Sequence, residues 1–212
     1  MTEEEWLACN DPEVMLRFGW TPARKRRLFA VACCARIANV MTEYGQKAVD
    51  AAEAFADGAM DARELARIRL LIGYPEAARR GSAADAARAA SAQVELIGAV
   101  DTAMHAVRAC VTSPAQQDGQ RAAERAAQTA LIRDIFGNPF RPITFSPEWR
   151  TDTAVALART MYDSRDFSAM PILADALQDA GCDNTDVLNH CRDTSLTHVR
   201  GCWVVDVLLG KV

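Results

Sequence analysis

The chain of 212 residues contains no stretch near the roughly 18 to 20 consecutive apolar residues that a membrane-spanning helix requires. Its opening, Met1, Thr2, Glu3, Glu4, Glu5, is acidic where a secretory signal is basic, and no apolar signal core follows. These absences predict a cytoplasmic protein that makes no use of a membrane. A basic excess is also missing: 24 Lys and Arg stand against 28 Asp and Glu, for a net charge of -4. A polyanion held by bulk electrostatics needs basic charge gathered on one face, so nucleic acid is not the expected partner. No Gly-rich loop follows a strand, no histidine pair flanks a Glu, and no calcium loop forms around Asp183, Asn184 and Asp186, because the required Gly and distal Glu are lacking. The common nucleotide, metalloprotease and calcium-sensor readings fall away, and no organic cofactor is implied.

What is present points to helices. Half of the residues are apolar, and at this length one core buries roughly 70% of the unfolded chain's surface without metal or disulfide. Thr2 with Glu5 forms a capping box ahead of Trp6 and Leu7; Asp11-Pro12, Thr21-Pro22 and Ser113-Pro114 each pair a capping side chain with a proline suited to the first helical position. From Pro22 to about Tyr44, apolar residues from Leu28 to Met41 recur at helical spacing, which predicts one core helix. Further helices are predicted from about Gln46 to Asp57, stopping near Gly58, and from Asp61 and Glu64 toward Gly73.

An Ala-rich middle follows, with Ser82 as its cap and Val94, Ile97, Val100, Met104 and Val107 as its stripe, then a second Ala-rich helix ending at Gly137. Together, Ser82 to Phe136 read as a long antiparallel hairpin. Pro139, Pro142 and Pro147 interrupt the pattern over 137–150. The apolar Phe140, Ile143, Phe145 and Trp149 make this an ordered strap and not a linker. Helices resume at Thr151 or Asp152, at Pro171 up to Gly181, at Asp183 or Asn184 up to His190, and from about Arg200 to Leu209. The expected fold is therefore all-α, a compact bundle of about eight to ten helices in one domain spanning 1–212.

Two ends of the chain are distinctive in wording. One holds Glu5-Trp6-Leu7-Ala8-Cys9, Asp11-Pro12 and Arg27 to Cys34; the other holds Leu131 to Pro142, Ile172 to Cys182 and His198 to Asp206. The chain resembles a family of uncharacterised bacterial proteins, found in many copies in some genomes, that share these ends around an Ala-rich middle of variable length. The resemblance implies one domain with a tolerant central hairpin, and no activity comes with it.

The chemistry-bearing residues gather near the C-terminus. Cys182, His190, Cys191, His198 and Cys202 include two of the three histidines. If the last helix starts early enough, His198 and Cys202 share one face at four-residue spacing, so His190, Cys191, His198 and Cys202 form the candidate metal set, zinc being the fitting ion. Against that, no cysteine pair shows structural-zinc spacing, and neighbours such as His190 and Cys191 diverge on a helix. A thiol nucleophile, with an imidazole oriented by Asp134 or Asp206, is the generic acyl-transfer arrangement, but no local motif supports it. The seven cysteines are odd in number and lie mostly within helical patterns, which predicts reduced thiols, with Cys33 and Cys34 as core. Arg24, Lys25, Arg26 and Arg27 read as a solvated turn with stems lying over apolar neighbours. Asp134, Arg141, Tyr162, Asp163 and Arg165 offer charges around the strap.

These observations order the functional readings. A helical module that binds another protein, through the Ala-rich hairpin, comes first, and an enzyme is the less expected class. The alternative is a metal-binding or thiol-dependent protein using the C-terminal His/Cys cluster. A third is a small-molecule enzyme with a cleft between the strap and the last helices.

Overall fold

The structure is a computed structural model that describes residues 1–18, 22–77, 101–102, 105–106 and 117–211, with side chains of 71–77 left aside. Among the described residues there are ten α-helices, two short 3-10 turns and no strand. The helices are α1 (Glu3–Ala8), α2 (Pro12–Arg17), α3 (Ala23–Ala35), α4 (Glu43–Ala56), α5 (Ala62–Ala77), α6 (Gln117–Phe136), α7 (Asp152–Ser164), α8 (Met170–Asp179), α9 (Thr185–Arg192) and α10 (Trp203–Leu209). The all-α expectation is met. The cap at Thr21, the start at Ser113-Pro114, Cys110, and most of the hairpin from Ser82 lie outside the described residues. The chain divides into two compact units, Met1–Ile132 and Arg133–Val212.

In the first unit the starts follow local chemistry. Thr2 accepts from the Glu5 amide while Glu5 reaches back to the Thr2 amide, closing the capping box. Asp11 accepts from the Glu13 and Val14 amides, with Pro12 opening α2. The long helix expected from Pro22 to Tyr44 is instead broken. α3 begins at Ala23, ends at Ala35, and gives way to a 3-10 turn at Ala38–Val40 before α4. Ile37, Asn39 and Val40 are weak helix formers, and Thr42 accepts the Gly45 amide at 3.1 Å, starting a new helix in a new direction. The apolar spacing hid this break, since Ile37 is buried while Val40 is half exposed.

The basic turn is not simply solvated. Arg24 pairs with Asp57 at 3.0 Å, and Arg27, only 3% exposed, lies over the Phe55 ring at 4.8 Å. Both partners stand at the end of α4, where cations complement the helix dipole. Arg36 and Glu124, 88 residues apart, are joined at 3.0 Å and tie α3 to α6. Cys33 and Cys34 are core residues, and burial pushes both thiols up, Cys34 to about 12.

The second unit is built on α7 to α10. Leu173 and Leu177, four apart on α8, are fully buried with Ala158, Met161, Val187 and Leu208. Each such aliphatic side chain contributes about 1.5 to 3 kcal/mol by leaving water. The strap packs Ile143, Phe145 and Trp149 against this core, with Phe145 and Trp149 edge to face at 5.0 Å. Thr151 caps α7, and Asn184 caps α9 by accepting the Asp186 and Val187 amides. α6 ends at Gly137, whose φ of 70° suits glycine, and a Cβ there would stand 3.3 Å from the Trp203 ring.

Candidate metal centre

Four potential ligands converge within the second unit: Asp134, His190, His198 and Cys202, with one donor atom from each lying within 4.8 Å of the others. Asp134 stands in the last turn of α6 and His190 near the end of α9. His198 lies in the irregular stretch that follows α9, and Cys202 occupies the cap position of α10.

The convergence of His198 and Cys202 does not come from a shared helix. α10 begins at Trp203, later than the expected Arg200. A turn does the work instead: the Cys202 amide donates to the Val199 carbonyl at 2.9 Å, with Gly201 third in the turn at φ 95°. A type II turn needs positive φ at that place, which glycine supplies without steric cost. It folds the chain back so that Cys202 Sγ lies 4.0 Å from His198 Nδ1. The Arg200-Gly201 pair is thus the sequence signal for the contact.

Asp134 is the hub. Oδ1 is 2.7 Å from His198 Nδ1 and 3.3 Å from His190 Nε2, while Oδ2 accepts the Val199 amide at 3.0 Å. His190 Nε2 is also 3.3 Å from Cys202 Sγ. Burial alone pushes the Asp134 carboxyl up; hydrogen bonds from His190 and His198 oppose it and leave it below its ordinary value. Burial drives the Cys202 thiol well up, and the Asp134 charge adds to this, against a smaller opposing effect of the Val205 and Val204 amides. His198 Nε2 is buried with no partner.

Of the four ligands expected from sequence, His190, His198 and Cys202 meet, and Cys191 does not. It follows His190 on α9, so its side chain turns roughly 100° away into the core. There it is 1% exposed, and burial, with a smaller effect of Cys182, raises its thiol to about 12. Asp134 takes the vacant corner. The sequence marks it only as a group to orient an imidazole, because no spacing rule connects residues 64 positions apart.

The arrangement is unsuited to a thiol nucleophile. A relay uses one imidazole nitrogen toward the thiol and the other toward the carboxylate. Here His190 offers the same Nε2 to both, and Cys202 is fully buried. Of the charges around the strap, four have these places. Arg141 is exposed and 3.7 Å from Asp186, Arg165 ends α7 in a left-handed conformation, and Tyr162 and Asp163 present their carbonyls to Arg200.

Comparison of the chain with known protein families, with curated proteins and with solved structures finds no match. Function is therefore argued from the site.

Proposed function

We propose that this is a transition-metal-binding protein whose second unit holds a divalent ion, zinc foremost, between Asp134, His190, His198 and Cys202. The observation that carries the reading is the approach of four donor atoms, from four places in the chain, to within 4.8 Å of one another. Each group has one atom that can serve as a metal ligand once the thiol proton and the ring protons that now reach Asp134 are released or moved to the far ring nitrogen. A cation between them satisfies all four at once.

The distances support it. Zinc bonds of about 2.0 to 2.3 Å in a tetrahedron put donor atoms about 3.3 to 3.7 Å apart. Four of the six separations are 2.7, 3.3, 3.3 and 4.0 Å and all six lie within 4.8 Å, so side-chain shifts of up to about an ångström would accommodate the ion. One cost opposes it. Coordination through His198 Nδ1 puts the ring proton on Nε2, which faces no acceptor. That costs about 1 to 3 kcal/mol, against about 10 to 16 kcal/mol for zinc held by a structural site. Loss of the Cys202 thiol proton, which burial opposes, is a second cost, and both are small beside that range.

The test is elemental analysis of untagged protein reloaded with zinc and freed of excess. About one equivalent is expected for the natural chain. It should be lost in His198→Ala and Cys202→Ala, and kept in Cys191→Ala. No retained metal in the natural chain would sink the reading.

A helical protein-interaction module is the second reading, favoured by apolar side chains exposed in the first unit: Leu7, Val14, Tyr44 and Leu70. The reading gains only if charged replacements there weaken a defined complex without lowering stability.

A further inference from the structure

Resting on the metal reading above, we infer that the ion sits in a closed, four-coordinate, water-free site and acts as a clamp on the stretch Asp193–Gly201, with no part in activating water. Catalytic zinc keeps one position for water or substrate, whereas structural zinc is enclosed by four protein ligands. Here all four corners are side chains: one carboxylate, two imidazoles and one thiol. Cys202 is fully buried, Asp134 is 3% exposed, and the His198 and His190 side chains are 5% and 11% exposed. The flank beside His190 is filled by the Trp203 ring, 5.1 Å away, and Trp203 backs on to Gly137, where even one added carbon would crowd it. On that flank there is little space for a substrate beside the ion.

The donor set points to zinc over the hard cations. Magnesium and calcium take six or more oxygens, and a thiolate with two imidazoles suits a borderline ion of tetrahedral preference.

The stretch following α9 shows why a clamp is needed. Arg192 to Thr197 are all exposed, so they bring no apolar side chain to a core. From Asp193 to Leu196 the backbone is ordered by the local bond from the Leu196 amide to the Asp193 carbonyl, and tertiary bonds begin only at His198, Val199 and Arg200, which reach Asp134 and the Tyr162 carbonyl. The exposed part, Arg192 to Thr197, opens easily unless both of its ends are held. His198 anchors the stretch to Asp134 from within, while His190 and Cys202 grip its two ends.

The experiment uses the full chain without a histidine tag, stripped of metal and loaded with cobalt(II), a spectroscopic stand-in for zinc. Tetrahedral cobalt gives intense visible bands, and a thiolate ligand adds a charge-transfer band in the near ultraviolet that Cys202→Ser should abolish. In parallel, tryptic cleavage after Arg192 and Arg200 should quicken by about tenfold or more when zinc is removed, and slow again when it is restored. Cobalt bound with the weak bands of five or six ligands would overturn the closed site while leaving the metal reading intact. Cleavage indifferent to zinc would overturn the clamp. If neither ion binds, the metal reading fails and takes this inference with it. Should Cys202→Ser not fold, the charge-transfer band of the natural chain answers the same question about the thiolate.

Discussion

Asp134 sits at 3% exposure with three groups directed at its two oxygens: the His198 and His190 rings and the Val199 amide. In metal-free protein, Asp134→Ala leaves the Val199 amide and an imidazole N–H without acceptors, and should cost about 2 to 4 kcal/mol in urea unfolding. The sign of its pH dependence follows from the lowered folded value. The stability it gives is full above the unfolded carboxylate value of about 3.9 and is lost as pH falls through the folded one. The gap between melting curves of the stripped natural chain and Asp134→Ala should therefore begin to narrow as pH falls below about 4. The cysteines divide just as sharply. Burial raises the thiols of Cys33, Cys34, Cys182, Cys191 and Cys202, and Cys9 is the one described cysteine that is partly accessible. A thiol reagent at neutral pH should modify Cys9 quickly and these five only on unfolding, so Cys9→Ser should remove a fast phase.

At the scale of elements, caps and turns set the geometry on which the site depends. α6 stops at Gly137 and α8 at Gly181, both with positive φ, yet the two differ in surroundings. A Cβ at Gly181 meets nothing within 4 Å, while one at Gly137 stands 3.3 Å from Trp203. Gly181→Ala should thus cost about 1 to 2 kcal/mol, the backbone term alone. Gly137→Ala should cost more, and should also weaken zinc retention, because Trp203 packs on His190 and follows Cys202 directly. Equal costs for the two variants, measured by denaturant unfolding, would show that the Trp203 contact contributes nothing. The break between α3 and α4 belongs to this scale too. Helical spacing of apolar residues continued through Ile37 to Met41, and only the Thr42 cap and the weak formers before it betray the turn.

For the molecule as a whole, a ligand that binds only the folded state adds stability by mass action. Zinc at about 100 to 1,000 times its dissociation constant should add about 2.7 to 4.1 kcal/mol. For a unit of 80 residues (Arg133 to Val212), that raises the melting transition by about 10 to 30 °C. Calorimetry with and without chelator measures it, and an unchanged transition would contradict a clamp in the second unit. No helix among the described residues is long and apolar enough to cross a membrane.

Helix-forming character was written in local signals, and these act over one or two turns. Capping residues such as Thr2, Asp11, Thr151 and Asn184, with glycines at 58, 137 and 181, determined where most elements start and stop, because the first-turn amides and last-turn carbonyls are satisfied by near neighbours. The apolar strap residues likewise announced that the proline segment packs. Which thiol and which carboxylate join the two histidines was not written at any fixed spacing. Cys191 is excluded by the direction of its side chain on α9, and Asp134 is included because α6 ends beside the loop that carries His198. Those are facts of how distant elements meet, and only the tertiary structure decides them, since coordination requires atoms within a few ångströms whatever their separation along the chain.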